Sequence, residues 1–349
     1  MSECDKSEIV LVGILCYNHE LYIAQCLDSV LCQKCNFNYK VYVFDDASTD
    51  GSWRIIQDYK VKYKDKLIIE QPEYNNYSNG NRNAFLQHIK KENQVKFVAF
   101  CEADDYWTDE YKLQKQYDAM QKNEKASMCI HDVELVNESN GNCMGIVPGY
   151  MSSNWSQEEL ITRILMYSMS FRLNGIFVRG EILNNADMDS GFWNYWAIDL
   201  ALFVYMILKG EVIYLNNNMA VKRVNNVGSL SHESNLEKNI CQQQINMFEE
   251  DIRWIEQFDV LSGKKYEDLI EYYKLFRTIK LYYLYQGSVE KNKCVSNGNG
   301  KMYLSESGRR INRTYIKLIR GFYKDNERSF AKCARKWMEK EWKRLQTAE

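Results

Sequence analysis

Short apolar runs alternate with stretches of helical periodicity along the first 125 residues of the chain. The apolar runs have the length of strands and lie at residues 9–15, 41–44, 67–69 and 95–101. Apolar positions at helical spacing follow them, at residues 20–31, 53–59, 83–90 and 109–122. Because the runs do not alternate between apolar and polar positions, they predict strands that are buried on both faces. The pattern therefore predicts an α/β fold with a Rossmann-like, mostly parallel central sheet and helices on both faces.

The pattern changes further along the chain. Strands are predicted at residues 127–136, 172–178 and 211–215, and a buried helix is predicted at residues 197–208. From residue 236 onward the strand signals stop, and helical patterns run over residues 237–285 and 309–345. We therefore predict an α/β domain over residues 1–235, with halves at 8–125 and 126–235, and a helical C-terminal region over residues 236–349.

The 349-residue chain has an ordinary globular composition, with 45% hydrophobic and 26% charged residues, which excludes bulk disorder. Its net charge of −2 argues against a nucleic-acid partner. The charge is uneven, because residues 301–349 hold 14 basic and 6 acidic residues. This basic tail can form an amphipathic helix that lies on an anionic membrane surface, or a helical cap on the acidic remainder of the chain. Both interpretations stay open, as does a role in a homo-oligomer.

The pattern contains no clear signal for export or for a membrane span. The first apolar run is too short for a signal peptide, and the most apolar later segment, residues 198–208, is 11 residues long and contains Asp199. A transmembrane helix needs about 20 apolar residues. The 11 cysteines are scattered, and Cys32 and Cys35 lack the second pair of a zinc or redox site. We expect reduced thiols and a cytoplasmic protein, located at the inner face of the membrane if the basic tail binds lipid.

Polar and acidic residues follow three of the predicted strands. Residues 17–20, Tyr-Asn-His-Glu, follow the first strand; Asp45 and Asp46 end the second; and residues 102–105, Glu-Ala-Asp-Asp, end the fourth. Ligands of open α/β sheets bind at the carboxyl ends of the strands, so we expect these side chains to converge. Carboxylates that lack a counter-charge raise each other's pKa, and Mg²⁺ or Mn²⁺ would relieve that repulsion, with phosphate oxygens as further ligands. Tyr17 can stack on a base, and Asp46 can accept hydrogen bonds from a base or a ribose.

The order of these motifs resembles the opening of the family 2 glycosyltransferases. Leu-Cys-Tyr-Asn at residues 15–18 is similar to the family's first turn, and Val-Phe-Asp-Asp-Ala-Ser-Thr-Asp-Gly-Ser at residues 43–52 is similar to its Asp-Asp-x-Ser-Thr-Asp strand end. Residues 79–83 resemble the family's Arg-Asn segment, and residues 97–113 resemble its Asp-x-Asp region. The resemblance covers residues 8–230 approximately.

This resemblance implies a GT-A catalytic domain whose first half binds a nucleotide sugar, with UDP as the expected nucleotide, and whose second half binds the acceptor. Tyr17 and Asp46 would hold the uracil and the ribose. Asp105 would contact the metal ion, and Asp104 would face the ribose or the donor sugar. The nucleotide-sugar-binding residues that the resemblance implies are Tyr17, Asn18, Glu20, Asp45, Asp46, Arg82, Asp104 and Arg223. The implied cofactor is Mn²⁺ or Mg²⁺, and its implied ligands are Asp105, Glu102 and Asp104.

Sugar transfer with inversion needs a general base on the acceptor side. Asp199 opens an apolar helical pattern and resembles the acceptor-side aspartate of the family, so we predict that it is the base. The alternatives are that Asp199 only caps its helix, or that Asp187 or Asp189 is the base. Two further motifs stay open: Arg223 binds the diphosphate or lies in a surface loop, and His131 with Asp132 contacts the acceptor or lies in the core.

The predicted function is that of an inverting, divalent-metal-dependent glycosyltransferase. It would move a sugar from a nucleotide sugar to a saccharide or lipid-linked saccharide acceptor in surface polysaccharide assembly. Two alternatives are a catalytically inactive nucleotide-sugar-binding or scaffold subunit, and a sugar-nucleotide pyrophosphorylase. The pyrophosphorylase requires a Gly-rich, basic loop after the first strand, whereas this chain has Tyr-Asn-His-Glu at residues 17–20.

Overall fold

The structure is a computed structural model that describes residues 9–92, 95–148, 155–165, 171–224 and 240–271, together with residues 273, 274 and 277. The chain divides into two compact units, Met1–His232 and Glu233–Glu349. All of the described strands lie in the first unit, and the described part of the second unit is helical. The predicted division of the first unit into a donor half and an acceptor half stays a prediction.

One sheet of nine strands forms the centre of the first unit in the described residues. Its strands are β1 (Ile9–Cys16), β2 (Tyr39–Asp45), β3 (Leu67–Glu70), β4 (Val95–Glu102), β5 (Tyr106–Trp107), β6 (Ala126–Asn137), β7 (Cys143–Val147), β8 (Ile176–Arg179) and β9 (Glu211–Val224). They lie side by side in the order β3-β2-β1-β4-β8-β6-β9-β5, and β7 pairs with β6. The helices are α1 (Ile23–Leu31), α2 (Ser52–Tyr63), α3 (Ala84–Lys91), α4 (Lys112–Lys122), α5 (Gln157–Leu165), α6 (Gly180–Asn184), α7 (Ile198–Lys209) and, in the second unit, α8 (Ile240–Leu261).

The strand directions make the sheet mixed but mostly parallel. Strand β1 pairs in parallel with β2 and β4, β2 pairs in parallel with β3, and β6 pairs in parallel with β9. Strand β8 lies between β4 and β6 and is antiparallel to both. Strands β5 and β7 are also antiparallel to their neighbours, so six of the nine strands run in one direction. The predicted α/β fold with a mostly parallel sheet is confirmed.

Helices cover both faces of the sheet at β1. Val10, Val12 and Ile14 point to one face and pack with the apolar positions of α1, such as Ile23 and Leu27. These α1 positions are four residues apart, so they lie on one side of the helix. The intervening Gly13 faces the other side of the sheet, where α3 packs directly against it. The alternation of strands and helices in the sequence therefore corresponds to two helical layers around one sheet.

The structure differs from the predicted elements mainly after residue 126. The strand predicted at residues 172–178 begins only at Ile176, because Leu173–Gly175 forms a 3₁₀ turn. Strand β9 continues to Val224, nine residues beyond the predicted end at residue 215. Strands β5 and β7 and helix α5 were not predicted at all. The second predicted helical pattern, residues 309–345, lies entirely outside the described residues.

The described part of the second unit begins with the 22-residue helix α8, as the helical pattern predicts. The chain then turns at residues 262–266, where Gly263 and Lys264 both have a positive φ. Asp251 and Arg277 form a buried ion pair in this unit, with Arg277 Nε 2.7 Å from Asp251 Oδ2. In the part of the chain that the structure describes, no helix combines the length and the apolar character needed to cross a membrane.

Candidate active site

The carboxyl ends of β1, β2 and β4 meet at one edge of the sheet. Cys16 at the end of β1 lies opposite Asp45 of β2, and Leu15 lies opposite Glu102 of β4. Tyr17 follows Cys16 directly and is half-buried. The parallel register therefore brings together the three polar segments that the sequence singles out, at residues 17–20, 45–46 and 102–105.

Hydrogen bonds join the loop after β1 to the loop after β2. The Asn18 N–H donates to Ser48 Oγ at 2.8 Å, and Asn18 Oδ1 accepts the Thr49 N–H at 2.8 Å. The Glu20 N–H donates to Asp50 Oδ2 at 3.0 Å. Asn18 has a φ of 56°, a conformation that asparagine adopts more readily than most residues. These contacts fix the backbone beside Tyr17, and direct binding of a nucleotide by Asn18 and Glu20 stays a prediction.

Asp45 and Asp46 lie next to each other but have different surroundings. Asp45 is fully buried, and its Oδ1 accepts the Ser48 N–H at 2.7 Å. Burial raises the pKa of Asp45 above the ordinary value of an aspartate. Asp46 reaches the loop after β3 instead, because its Oδ1 accepts the Asn76 N–H at 2.8 Å and its Oδ2 accepts the Tyr77 N–H at 3.0 Å. Asp46 therefore orders the loop that leads to the predicted donor residue Arg82.

That loop also contacts the segment that precedes Asp199. The Tyr77 hydroxyl donates to the Trp196 carbonyl at 3.3 Å, and the Arg82 N–H donates to Asn194 Oδ1 at 3.3 Å. The Arg82 guanidinium lies 5.6 Å from the centroid of the Tyr77 ring. Arg82 thus lies where the predicted donor-binding and acceptor-binding halves meet.

Asp105 is the most deeply buried carboxylate of residues 102–105, which we call the acidic turn. Its side chain has no exposed surface, its Oδ1 accepts the Arg223 N–H at 2.9 Å, and its Oδ2 accepts the Asn174 amide at 3.2 Å. Burial raises the pKa of Asp105; the Lys222 ammonium opposes that rise, and the neighbouring carboxylates add to it. The turn therefore carries negative charge that its own hydrogen bonds do not balance.

Lys222 supplies positive charge to this turn, and the sequence analysis did not identify it. Its Nζ lies 2.7 Å from Glu102 Oε2 and 3.6 Å from Asp105 Oδ2. Burial alone would lower the pKa of Lys222, but Asp105 and Glu102, together with Asp104, raise it above the ordinary value of a lysine. The available signal in the sequence was a lysine directly after the apolar Met219-Ala-Val221.

Asp104 and Arg223 are linked through the backbone. The Arg223 guanidinium donates to the Asp104 carbonyl and lies between two aromatic rings, 4.9 Å from the centroid of Tyr22 and 4.7 Å from that of Tyr106. The Asp104 carboxylate lies 3.9 Å from His19 Nε2. Further partners of the Arg223 guanidinium are Gln25 and Glu138. These contacts show a buried arginine on a strand rather than one in a surface loop, and its predicted contact with diphosphate stays a prediction.

Asp199 lies at the second position of α7, and its environment links it to the acidic turn. Burial raises the pKa of Asp199, and the charge of Glu102 adds to that rise, while Lys222 and Arg172 oppose it. The Asp199 Oδ1 accepts the N–H of Leu200 at 2.8 Å. The N-cap position of α7 is Ala197, so Asp199 does not occupy the capping position itself. The fallback candidates Asp187 and Asp189 are exposed.

The donor chemistry of the acidic turn fits a divalent metal ion. Glu102, Asp104 and Asp105 offer carboxylate oxygens, which Mg²⁺ and Mn²⁺ prefer. Each oxygen of Asp105 accepts one hydrogen bond and keeps a second lone pair for a cation. Across the described residues, no three His, Cys, Asp or Glu side chains are already arranged around one point, so these carboxylates would have to move to surround an ion.

The other motifs that the sequence left open lie in structural positions. His131 is buried, its Nδ1 lies 2.7 Å from the Asp132 carbonyl, and burial holds its pKa well below the ordinary value of a histidine. The Asp132 carboxylate accepts the hydroxyl of Tyr214 at 2.9 Å. These contacts favour the core interpretation of His131. Cys32 is exposed and Cys35 half-buried, and the seven cysteines whose side chains the structure describes are free thiols.

Solved structures have a similar fold. The crystal structure of S. aureus TarS 1-349 in complex with UDP has a TM-score of 0.50 and 18% identity, and the match covers 86% of this chain and 97% of that one. The mannosyltransferase PcManGT from Pyrobaculum calidifontis, in complex with GDP-Man and Mn²⁺, has a TM-score of 0.50 and 12% identity, over 93% of this chain and 85% of that one. At these identities the similarity concerns the fold alone, which is of the GT-A type.

The sequence identifies the family. Residues 11–177 match the sequence model named Glycosyl transferase family 2, and this segment is a family 2 glycosyltransferase domain. The chain is 29% identical over 209 residues to the Mycobacterium tuberculosis protein Rv1520. That alignment covers 59% of this chain and 56% of the mycobacterial protein. It is 34% identical over 101 residues to the Escherichia coli enzyme WfaP, a UDP-Glc:alpha-D-GlcNAc-diphosphoundecaprenol beta-1,3-glucosyltransferase, over 29% and 37% of the two chains. The match therefore spans about half the length of the mycobacterial relative.

Proposed function

We propose that this family 2 enzyme transfers a sugar with inversion from a UDP-sugar to a saccharide or lipid-linked saccharide acceptor, with a divalent metal ion, in surface polysaccharide assembly. The observation that supports this proposal most is the contact between the carboxyl edge of the sheet and the segment before Asp199. Tyr77, whose N–H donates to Asp46, donates its hydroxyl to the carbonyl of Trp196, three residues before Asp199. The charge of Glu102 also raises the pKa of Asp199. These observations support a single site that holds a candidate base and a candidate metal-binding turn, as a direct displacement at the anomeric carbon requires.

The donor would bind at the carboxyl edge of β1 and β2. In this proposal the half-buried ring of Tyr17 stacks on the uracil, and Asp46 accepts hydrogen bonds from the base or the ribose, with Asp45 beside it. Asn18 and Glu20 hold the loop in place around them. Arg82 and Arg223 are the cations proposed for the diphosphate. The nucleotide in the S. aureus structure supports the choice of UDP only through the shared fold.

The metal ion would be held by Asp105, Glu102 and Asp104. A bound Mn²⁺ or Mg²⁺ supplies a positive charge that offsets the charge developing on the departing diphosphate. Asp105, because it has no exposed surface and is tied to β9 and to Asn174, gives the turn a fixed anchor. Glu102 and Asp104 precede it in the same turn.

Asp199 would act as the general base. Its carboxylate is held at the start of α7 by the Leu200 N–H and can take the proton from the acceptor hydroxyl as that oxygen attacks the sugar. A raised pKa makes Asp199 a stronger base than an exposed aspartate. The lipid diphosphate in the name of the E. coli relative supports a membrane-linked acceptor.

Paired variants test the proposal. Asp105→Ala should lose Mn²⁺-dependent binding of UDP, whereas Asp199→Ala should bind UDP with unchanged affinity and release none from a UDP-sugar and acceptor. Asp189→Ala, at an exposed position near Asp199 in sequence, is the matched control and should transfer normally. Normal transfer by the Asp199 variant would refute its role as base.

The same assay separates the alternatives. A catalytically inactive binding subunit would bind UDP-sugar but release no UDP with any acceptor tested. A pyrophosphorylase would instead form UTP when the chain is given a UDP-sugar and pyrophosphate. The basic tail, residues 301–349, lies outside the described residues, and its proposed contact with membrane is tested by flotation of the chain with anionic liposomes. Equal flotation of a chain ending at Gly300 would contradict that contact.

A further inference from the structure

Lys222 forms an ion pair with the carboxylates of the acidic turn. Its Nζ forms an ion pair with Glu102 at 2.7 Å and lies 3.6 Å from Asp105. Its charge also lowers the pKa of Asp199. A single ammonium group is therefore shared by the turn proposed to bind the metal and by the carboxylate proposed as base.

The backbone holds Lys222 in this position. The next residue, Arg223, donates its N–H to Asp105, and the preceding residue, Val221, accepts the Asn174 amide at 3.0 Å. Val221 also pairs with Tyr106 of the short strand β5. Because both neighbours are bonded to the turn or to its surroundings, the Lys222 backbone cannot shift away from Glu102. Only rotation of its side chain, which keeps 23% of its surface exposed, can separate the ammonium from the carboxylates.

We propose that Lys222 is a built-in counter-cation that competes with the divalent metal ion for Glu102 and Asp105. This inference rests on the proposed function, because it concerns the same acidic turn. An ammonium and a divalent ion that contact the same two carboxylates repel each other strongly at such short range. Metal binding therefore requires the Lys222 side chain to turn away from Glu102, and Lys222 keeps the turn neutralised whenever no metal is bound.

The competition predicts a gain of metal affinity when the ammonium is removed. In Lys222→Met the apolar part of the side chain is kept and the charge is lost. We expect the full-length variant to bind Mn²⁺ at least about tenfold more tightly than the wild type, which corresponds to about 1.4 kcal/mol. The measurement is the loss of the free Mn²⁺ signal in electron paramagnetic resonance, without nucleotide. Lys222→Arg keeps the charge and is the matched control, with an affinity close to that of the wild type.

A measurement on the unmodified chain covers the case in which the Met variant does not fold. Lysines labelled with ¹³C at Cε are observed by NMR, and the Lys222 signal is assigned by its absence in the Arg variant. Addition of Mg²⁺ should move that signal as the ammonium leaves Glu102.

Three results would overturn the inference: an unchanged or weaker Mn²⁺ affinity in folded Lys222→Met, a Lys222 signal that stays fixed at saturating Mg²⁺, or no Mn²⁺ binding by any variant. None of these decides the proposed function, which is judged separately by UDP release from a UDP-sugar. Transfer that continues undiminished in EDTA would remove the proposed metal dependence.

Discussion

The backbone N–H of Arg223 donates to Asp105 Oδ1 at 2.9 Å, across a separation of 118 residues in the chain. The same residue sends its guanidinium to the Asp104 carbonyl. Strand β9 therefore holds two consecutive residues of the acidic turn. Asp105 is held through its side chain and Asp104 through its backbone carbonyl. A small displacement of β9 would move the proposed metal ligands with it.

Arg223→Lys is expected to destabilise the first unit. A lysine cannot donate to Asp104 and Gln25 and pair with Glu138 at the same time, because it lacks the planar fork of a guanidinium. We expect a loss of about 2–4 kcal/mol in the free energy of unfolding, measured by guanidinium chloride denaturation. Arg54→Lys, at an exposed position of α2, is the control and should change stability by less than about 0.5 kcal/mol. Wild-type stability with weakened UDP-sugar binding would indicate that Arg223 serves the nucleotide rather than the fold.

The acid limb of the pH–rate profile should report Asp199. Its folded-state pKa is raised, so transfer should fall, as the pH decreases, at a higher pH than an exposed aspartate would produce. Arg172 is one of the cations that oppose this rise. Arg172→Gln should therefore shift the acid limb of kcat to still higher pH. A limb that does not move, or one that moves to lower pH, would contradict the assignment.

The sequence pattern was sufficient to predict the strands and helices of the part of the sheet formed by β1, β2 and β4. Strands β1, β2 and β4 are buried, so each appears in the sequence as an apolar run that is followed by polar residues. Their parallel register then places Asp45 opposite Cys16 and Glu102 opposite Leu15, which is why the strand-end rule located the acidic edge of the sheet.

Elsewhere the strand bounds and site residues depend on pairing between distant parts of the chain, which the local sequence pattern does not predict. The predicted strand ends at residue 215, yet β9 continues through Asn-Asn-Asn at residues 216–218, and its register against β6 shifts on both sides of Asp132. Only this continuation carries Lys222 and Arg223 to the acidic turn. Asn174 was missed for a similar reason, since its buried amide acts on Asp105, 69 residues earlier in the chain.

Gly13→Ala tests the packing of α3 against β1. A Cβ at this position would lie 2.6 Å from Ile89 Cδ1 and 2.9 Å from Phe85 Cζ, so the helix or the strand must shift. We expect a loss of about 1–3 kcal/mol in the free energy of unfolding. The double variant Gly13→Ala with Ile89→Val removes the closer of the two atoms and should recover part of that loss, beyond the cost of Ile89→Val alone. Stability equal to the wild type in Gly13→Ala would show that α3 has room to move.

Lys112 should make stability depend on pH. Its side chain has no exposed surface, its Nζ donates to Gln116 Oε1 at 2.8 Å, and it lies 3.9 Å from the centroid of the Trp107 ring. Burial lowers the pKa of Lys112 to about 7. Above that pH the folded chain holds the amine neutral, whereas the unfolded chain keeps it protonated up to its ordinary pKa of 10.5.

Between these two pKa values, Lys112 takes up a proton when the chain unfolds. Its contribution therefore makes the wild type more stable as the pH rises, by up to about 1.4 kcal/mol per pH unit. Lys112→Met should remove this slope, because no proton is taken up on unfolding at that position. The test is urea denaturation of both proteins at several pH values between 7 and 10. Lys122→Met, at an exposed position of the same helix α4, is the control and should keep the wild-type slope. A slope that survives in Lys112→Met would show that Lys112 stays charged inside the folded chain.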